Sequence, residues 1–221
     1  MEIIAKIEND YKTKFGVPRQ SGMNSGVISR IVFEKKYRVK EAVTGLENFS
    51  HLWVLWEFNH FKKDDWSPTV RPPVLGGNKR VGVFATRSPN RPNSIGMTVV
   101  KIEKISFEEK DSPIIYVSGA DMMDQTPVYD IKPYGPYADC VPDAKGSFSD
   151  EFKGEKYEVL YDSSISEAID TETMKNITEI LSLNPCPRYI DDEKRVFGME
   201  FGKYEIKFTL DKKAIRIISI K

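Results

Sequence analysis

The sequence predicts a mainly β chain, a sandwich or barrel over residues 1–145 followed by a small α+β unit over residues 160–221. Three observations carry this. Stretches of strand-like alternation recur at short spacing from Glu2 to Tyr137, with few helical patterns between them. One of them, Leu52 to Phe58, is dense in aromatic and branched residues, the mark of a buried strand. Beyond residue 160 the apolar period changes to helical spacing and then returns to alternation.

Taken in order, Glu2 to Ile7 opens as a strand and Asn9 to Gly16 as a turn. Val17 to Gly22 follows as a Pro-stiffened loop. Val27 to Phe33 alternates as a strand, and Tyr37 to Val43 reads as a short helix or turn that Gly45 stops. Leu52, Val54, Trp56 and Phe58 share one face and Trp53 and Leu55 the other. Both faces are apolar, which predicts a central strand covered on two sides. Asp64 to Asn78 is a long excursion rich in Pro and Gly, of the kind that is often functional in a compact domain. Val81, Val83 and Ala85 then alternate into a polar loop, Thr86 to Gly96, and Met97, Val99 and Lys101 alternate out of it, so the pair reads as two strands flanking a loop. Ile114 to Ser118 and Val128 to Ile131 complete the strands. Lys132 to Tyr137 closes this part as a rigid aromatic loop, and Val141 to Lys156 reads as a linker. In the tail, Ser164 or Ser166 caps a helix running to about Leu183, with Ile169, Thr173, Ile177, Ile180 and Leu181 on one side. Three strands follow, Arg195–Phe201, Tyr204–Leu210 and Ala214–Ile220.

Composition narrows the function. With 221 residues, 40% of them hydrophobic, the chain can bury a real core. Its 33 basic and 33 acidic residues cancel, so a nucleic-acid partner needs a local basic patch rather than bulk charge. Such a patch exists: Arg71, Lys79, Arg80, Arg87 and Arg91 gather in one stretch. Two cysteines without CxxC spacing and two histidines make a structural zinc site improbable. They suit free thiols in a reducing, cytoplasmic setting. No apolar run reaches the length of a membrane span.

The polar loops carry the candidate chemistry. Pro89 and Pro92 stiffen the backbone beside Arg87 and Arg91, so two guanidinium forks are presented at small entropic cost. An ordinary Pro-rich hairpin with solvated arginines is the competing reading. Pro18, Arg19 and Gln20 form a second stiff polar segment. Asn59 and His60 stand where the aromatic strand ends, and His60 is a base by residue type or a plain strand-end hydrogen-bonder. Asp121 and Asp124 sit three apart at another strand end, as a pocket rim or as turn-formers.

Several of these stretches resemble one family. GVPRQSG (Gly16 to Gly22), FSHLWVLWEF (Phe49 to Phe58), VRPPVLGG (Val70 to Gly77), GVFATRSPNRPNSIGMTVV (Gly82 to Val100), DQTPVYDIKPYGPYAD (Asp124 to Asp139) and NPCPRY (Asn184 to Tyr189) are similar, in order, to motifs of the TsaA/YaeB family of TrmO-type tRNA methyltransferases. The resemblance implies a single β-barrel that binds S-adenosylmethionine, with a small C-terminal domain that contacts tRNA, acting as a homodimer without a metal. It implies methylation of N6 of N6-threonylcarbamoyladenosine at position 37, in the anticodon loop. It places cofactor contacts on Pro18, Arg19, Gln20, Asn59, His60, Arg87, Met97, Asp121, Met122, Met123 and Asp124. Asp124 and His60 are the candidate bases, and Arg71, Lys79, Arg80, Arg91, Arg188 and Tyr189 the candidate RNA contacts. Asn59 stands where the family more often has His. NPCPRY departs from a form closer to DPRPAY, with Asn184, Cys186 and Arg188 in place of Asp, Arg and Ala. The absence of GxGxxG leaves no support for a Rossmann-type methyltransferase. Two rivals remain: an RNA-binding barrel without catalysis, using Tyr134 and Tyr137 beside Lys132, and a methyltransferase of this family with a different small substrate.

Overall fold

The structure, a computed structural model, describes residues 1–24, 26–59, 66–72, 75, 79–152, 156–186, 192, 195–212 and 214–221. Among the described residues the first part has eight strands: β1 Ala5–Glu8, β2 Ile28–Phe33, β3 His51–Glu57, β4 Thr69–Val70, β5 Val81–Gly82, β6 Ile95–Ser106, β7 Ile114–Ser118 and β8 Pro127–Pro133. Six of them close into an antiparallel barrel in the order β1-β2-β7-β6-β3-β8, with β8 returning to β1. The interior is filled by alternate residues, among them Ala5, Ile7, Ile31, Leu52, Val54, Trp56, Val100, Ile115, Val117 and Val128. A six-stranded barrel of this kind leaves no unpaired edge and holds side chains rather than a channel.

Two readings of the sequence need correction here. β3 is buried on its even positions and half-exposed on its odd ones, so it lines the barrel on one face instead of being covered on both. In a closed barrel the outward face meets solvent, and Trp53 finds shelter instead against Tyr134, with ring centroids 5.9 Å apart. The stretch entering the arginine loop is also not half of a hairpin with β6. β5 has two residues, pairs with β4, and passes into a 3-10 turn at Val83–Ala85. Gly82 and the polar loop leave too little alternation to join the barrel.

Antiparallel pairing decides where the loops go. β1, β3 and β7 end, and β2, β6 and β8 begin, at the same rim. That rim therefore collects the ends of the connections from β1 to β2, from β3 to β6 and from β7 to β8.

At the opposite rim the chain leaves through α1 (Pro136–Asp139). It then builds β9 Glu158–Leu160, α2 Ser163–Glu167, α3 Thr171–Ser182, β10 Phe197–Phe201, β11 Tyr204–Asp211 and β12 Ala214–Ile220. The single long helix expected of the tail is two. Ser182 ends α3 as anticipated, but its cap is Asp170, whose carboxylate accepts from the Thr173 backbone N–H, and α2 is a separate turn. An N-cap acceptor stabilises such a start better than a mid-helix serine. β9 was not expected at all: three residues pair parallel to β12 and complete the sheet β10-β11-β12-β9.

The two parts share a core. Tyr11 and Val27, from the 9–27 loop, are buried with Ile177, Leu181, Phe197, Met199, Phe208 and Ile215 of the C-terminal unit, and Phe15 and Val17 pack against the same cluster. Tyr11 bridges to Phe201, and the Gly202 N–H donates to the Asp10 carbonyl at 2.8 Å.

Candidate active site

The centre of the near rim is the Asp121 carboxylate. The Thr98 hydroxyl donates to its Oδ1 at 2.6 Å, and Thr98 Oγ1 in turn accepts from the Trp56 indole N–H at 2.9 Å. Thr98 is buried on the inward face of β6, between Gly96 and Val100. Trp56 lies directly across from Gly96, and a Cβ on that glycine would come within 2.2 Å of the indole. The glycine thus lets the ring lie flat over β6 and aim its N–H at Thr98. The backbone of Ser21 also bonds to Asp121, and Arg87 acts on it through charge. Burial raises the Asp121 carboxyl above its ordinary value, while the Thr98 and Ser21 bonds and the Arg87 charge offset that in part.

Three segments far apart in sequence therefore meet at one carboxylate. The 16–22 loop is strapped down by the Gly22 N–H, which donates to the Gly119 carbonyl at 3.1 Å. Gly119 has φ of +80°, and a side chain there would crowd the Gly22 backbone. The loop over 86–94 is shaped by Arg91, whose Nη1 donates to the carbonyls of Thr86 (2.6 Å) and Val83 (3.3 Å). Arg91, a candidate RNA contact, is half-buried and bonded to its own loop, and Arg87 is exposed.

The other candidate residues divide by environment. Asp124, expected as a base, is fully engaged. Its Oδ2 accepts from Lys12 Nζ at 2.7 Å and its Oδ1 from the Asn9 N–H at 3.0 Å. Burial pushes its carboxyl up, but the Lys12 and Asn9 bonds outweigh that and hold it below the ordinary range. Met122 is buried in the barrel core and its carbonyl accepts from Asn9 Nδ2, so its side chain points away from the rim. Met123 is half-buried and Met97 exposed. Pro18 is buried and Gln20 exposed. Arg19 turns Nη2 to the carbonyls of Asn184 (3.0 Å) and Cys186 (2.9 Å), tying the loop to the C-terminal unit. Asn59 is half-buried at the end of β3. Arg71, Lys79 and Arg80 are exposed, with Arg80 Nη1 donating to Thr69 Oγ1 at 2.7 Å. His60, Arg188 and Tyr189 lie outside the described residues. Cys186 is fully buried, and burial pushes its thiol up to about 12 against the pull of Arg19 and Arg195. Among the described residues no cluster of three His, Cys, Asp or Glu suits a metal ion, and both cysteines are unbridged.

Sequence reasoning missed Thr98, Trp56, Ser21, Asn9 and Lys12. A signal existed for the first pair: Thr98 is a polar residue in the inward phase of an otherwise apolar strand, and a buried indole N–H requires an acceptor. Asn9 and Lys12 gave none, because their partner Asp124 lies more than 110 residues away.

The sequence profile of the tRNA-methyltransferase O N-terminal domain matches residues 6–140. This chain belongs to the tRNA-methyltransferase O family. It is 40% identical, over its whole length and 97% of the relative, to the tRNA (adenine(37)-N6)-methyltransferase of Escherichia coli K12. It is 39% identical, over 75% of its length and 93% of the relative, to the enzyme of the same name from Eikenella corrodens. A TrmO crystal structure from Pseudomonas aeruginosa superposes with a TM-score of 0.78 at 28% identity, covering 99% of this chain and 94% of that one. The family's N-terminal match takes in the barrel strands and the near rim together.

Proposed function

We propose that this protein transfers a methyl group from S-adenosylmethionine to N6 of adenine 37 in tRNA, and that the adenine carries a threonylcarbamoyl group. The observation that carries the reading is the convergence of Ser21, Arg87 and Thr98 on the Asp121 carboxylate. The groups there fit the donor: a carboxylate for a sulfonium or ribose hydroxyls, an exposed guanidinium for a carboxylate, and exposed loop backbone beside Gln20. When bound, the cofactor supplies an electrophilic methyl on a good leaving group.

The chain's own part is then to align and to accept a proton. Stiff loops around Pro18 and Pro89 hold two reactants in line, an arrangement able to lower a barrier by about 7–11 kcal/mol. Asp121 is better suited than Asp124 as proton acceptor. Its upward-shifted carboxyl has one oxygen on Thr98, whereas Asp124 is tied to Lys12 and Asn9. Arg87 pairs with a carboxylate of the cofactor or of the threonyl group. Arg71, Lys79 and Arg80 take phosphates. Residues 1–145 act as the cofactor-binding domain and residues 160–221 as a tRNA-contacting one, in a cytoplasmic homodimer, as the family resemblance implies.

The test uses labelled cofactor with tRNA that bears or lacks the threonylcarbamoyl group. Label on the bearing form alone is expected. Label on bare tRNA would remove the modified-base assignment, and label on neither would remove tRNA as substrate.

A further inference from the structure

Trp66 and Phe84 hold two large rings at the surface, 49% and 69% exposed. Their centroids are 6.0 Å apart and their planes differ by 26°, so together they form one aromatic ledge. Its position is fixed from below. The Val83 N–H donates to the Pro68 carbonyl at 3.0 Å, extending the β4–β5 pairing and bringing Trp66 alongside Phe84. The Arg91 guanidinium lies 5.6 Å from the Phe84 ring centre while bonded to the Thr86 and Val83 carbonyls. The ledge is therefore built before any partner arrives.

Its surroundings say what that partner is. From Trp66 to Gly96 the chain carries Arg71, Lys79, Arg80, Arg87 and Arg91 and not one Asp or Glu, although the whole chain is neutral. Just before Trp66 the chain has Lys62 and Lys63 followed by Asp64 and Asp65, which cancel in charge and leave the excess of this stretch positive. Aromatic faces on a cationic stretch suit a single-stranded nucleic acid: phosphates meet the cations and unpaired bases stack on the rings. A second copy joined across a two-fold axis at this ledge would bring two such cationic stretches together. Phe84 is three residues ahead of Arg87, whose charge acts on Asp121, so the backbone can carry the two no more than about 11 Å apart.

We propose that Trp66 and Phe84 form a stacking shelf for the unpaired base next to the adenine that enters the pocket. This rests on the RNA reading above and adds a binding role for two residues that the phosphate contacts do not supply. The test is an anticodon stem-loop carrying 2-aminopurine beside the target adenine, titrated with the full chain. The wild type is expected to quench its fluorescence. Trp66→Leu and Phe84→Leu are expected to lose the quenching and bind about ten-fold more weakly. The slope of log affinity against log salt should stay as in the wild type, because no phosphate contact is removed. Trp66→Phe should restore binding, and cofactor affinity by calorimetry should not move in any of them. A probe that stays bright on saturated wild type overturns the shelf without any variant. So do Leu variants that bind RNA as tightly as wild type, and Leu variants that change only the sedimentation coefficient assign the ledge to a contact between copies. A wild type that binds no RNA overturns the functional reading and the shelf together.

Discussion

Asp121 and Asp124 are three residues apart, and their surroundings drive them in opposite directions. For Asp124 the folded state favours the charged form. The stability this lends is fully present above the ordinary aspartate range, near 3.9, and is lost as pH falls through the lower folded value. Lys12→Met removes the main partner, so its acid unfolding, followed by circular dichroism, should begin at a higher pH than in wild type. For Asp121 burial favours the neutral form, so ionising its carboxyl opposes folding. Asp121→Asn should therefore melt at or above the wild-type temperature at pH 7 while losing methyl transfer, the trade expected of a strained functional group. Thr98→Val leaves the indole N–H of Trp56 and one oxygen of Asp121 without their partner. It should cost about 1–3 kcal/mol of stability and shift the pH profile of turnover, whereas Thr98→Ser should keep both near wild type. From sequence, the two aspartates were visible as a pair but not as opposites. What separates them is supplied by Asn9, Lys12 and Thr98, none of which is near them in the chain.

Among the elements, β6 binds the site to the barrel. Its first residues pair with the end of β3, and Gly96 is the place where the Trp56 ring lies against the backbone. Gly96→Ala should cost about 1–3 kcal/mol or more through overpacking, read as a lowered denaturant midpoint, and should reduce activity further by turning the indole away from Thr98. β3, β6, β7 and β8 were legible because each has several residues of clear alternation. β4 and β9 were not, and β5 was read as a longer strand than it is: two or three residues carry no period, and their pairing depends on partners chosen by the rest of the fold. The same limit explains the tail helix. Its apolar spacing runs on through Ile169, but Asp170 offers a stronger start one turn later. The polar loops were legible as candidates through their prolines and arginines, yet not that Arg91 is bonded to its own loop while Arg87 stays exposed and acts on Asp121.

At the scale of the molecule, the barrel and the C-terminal unit are joined through the loop that also touches Asp121. Tyr11, Phe15, Val17 and Val27 leave the barrel to enter the other core, and Arg19 fastens Asn184 and Cys186. A chain ending at Lys145 should accordingly keep barrel strands by circular dichroism, bind a hydrophobic dye through the uncovered residues, and lose cofactor affinity because Pro18 to Gly22 is no longer braced. Single-residue patterns gave two units, but not that the first lends side chains to the second. Finally, the barrel seam joins β1 to β8, residue 5 to residue 128. During synthesis, at roughly 5–20 residues per second, the opening strand would wait on the order of ten seconds for its second neighbour to emerge from the ribosome. Nascent chains stalled short of Val128 should thus remain open to protease and to chaperones, and resistance should set in abruptly once that strand is released.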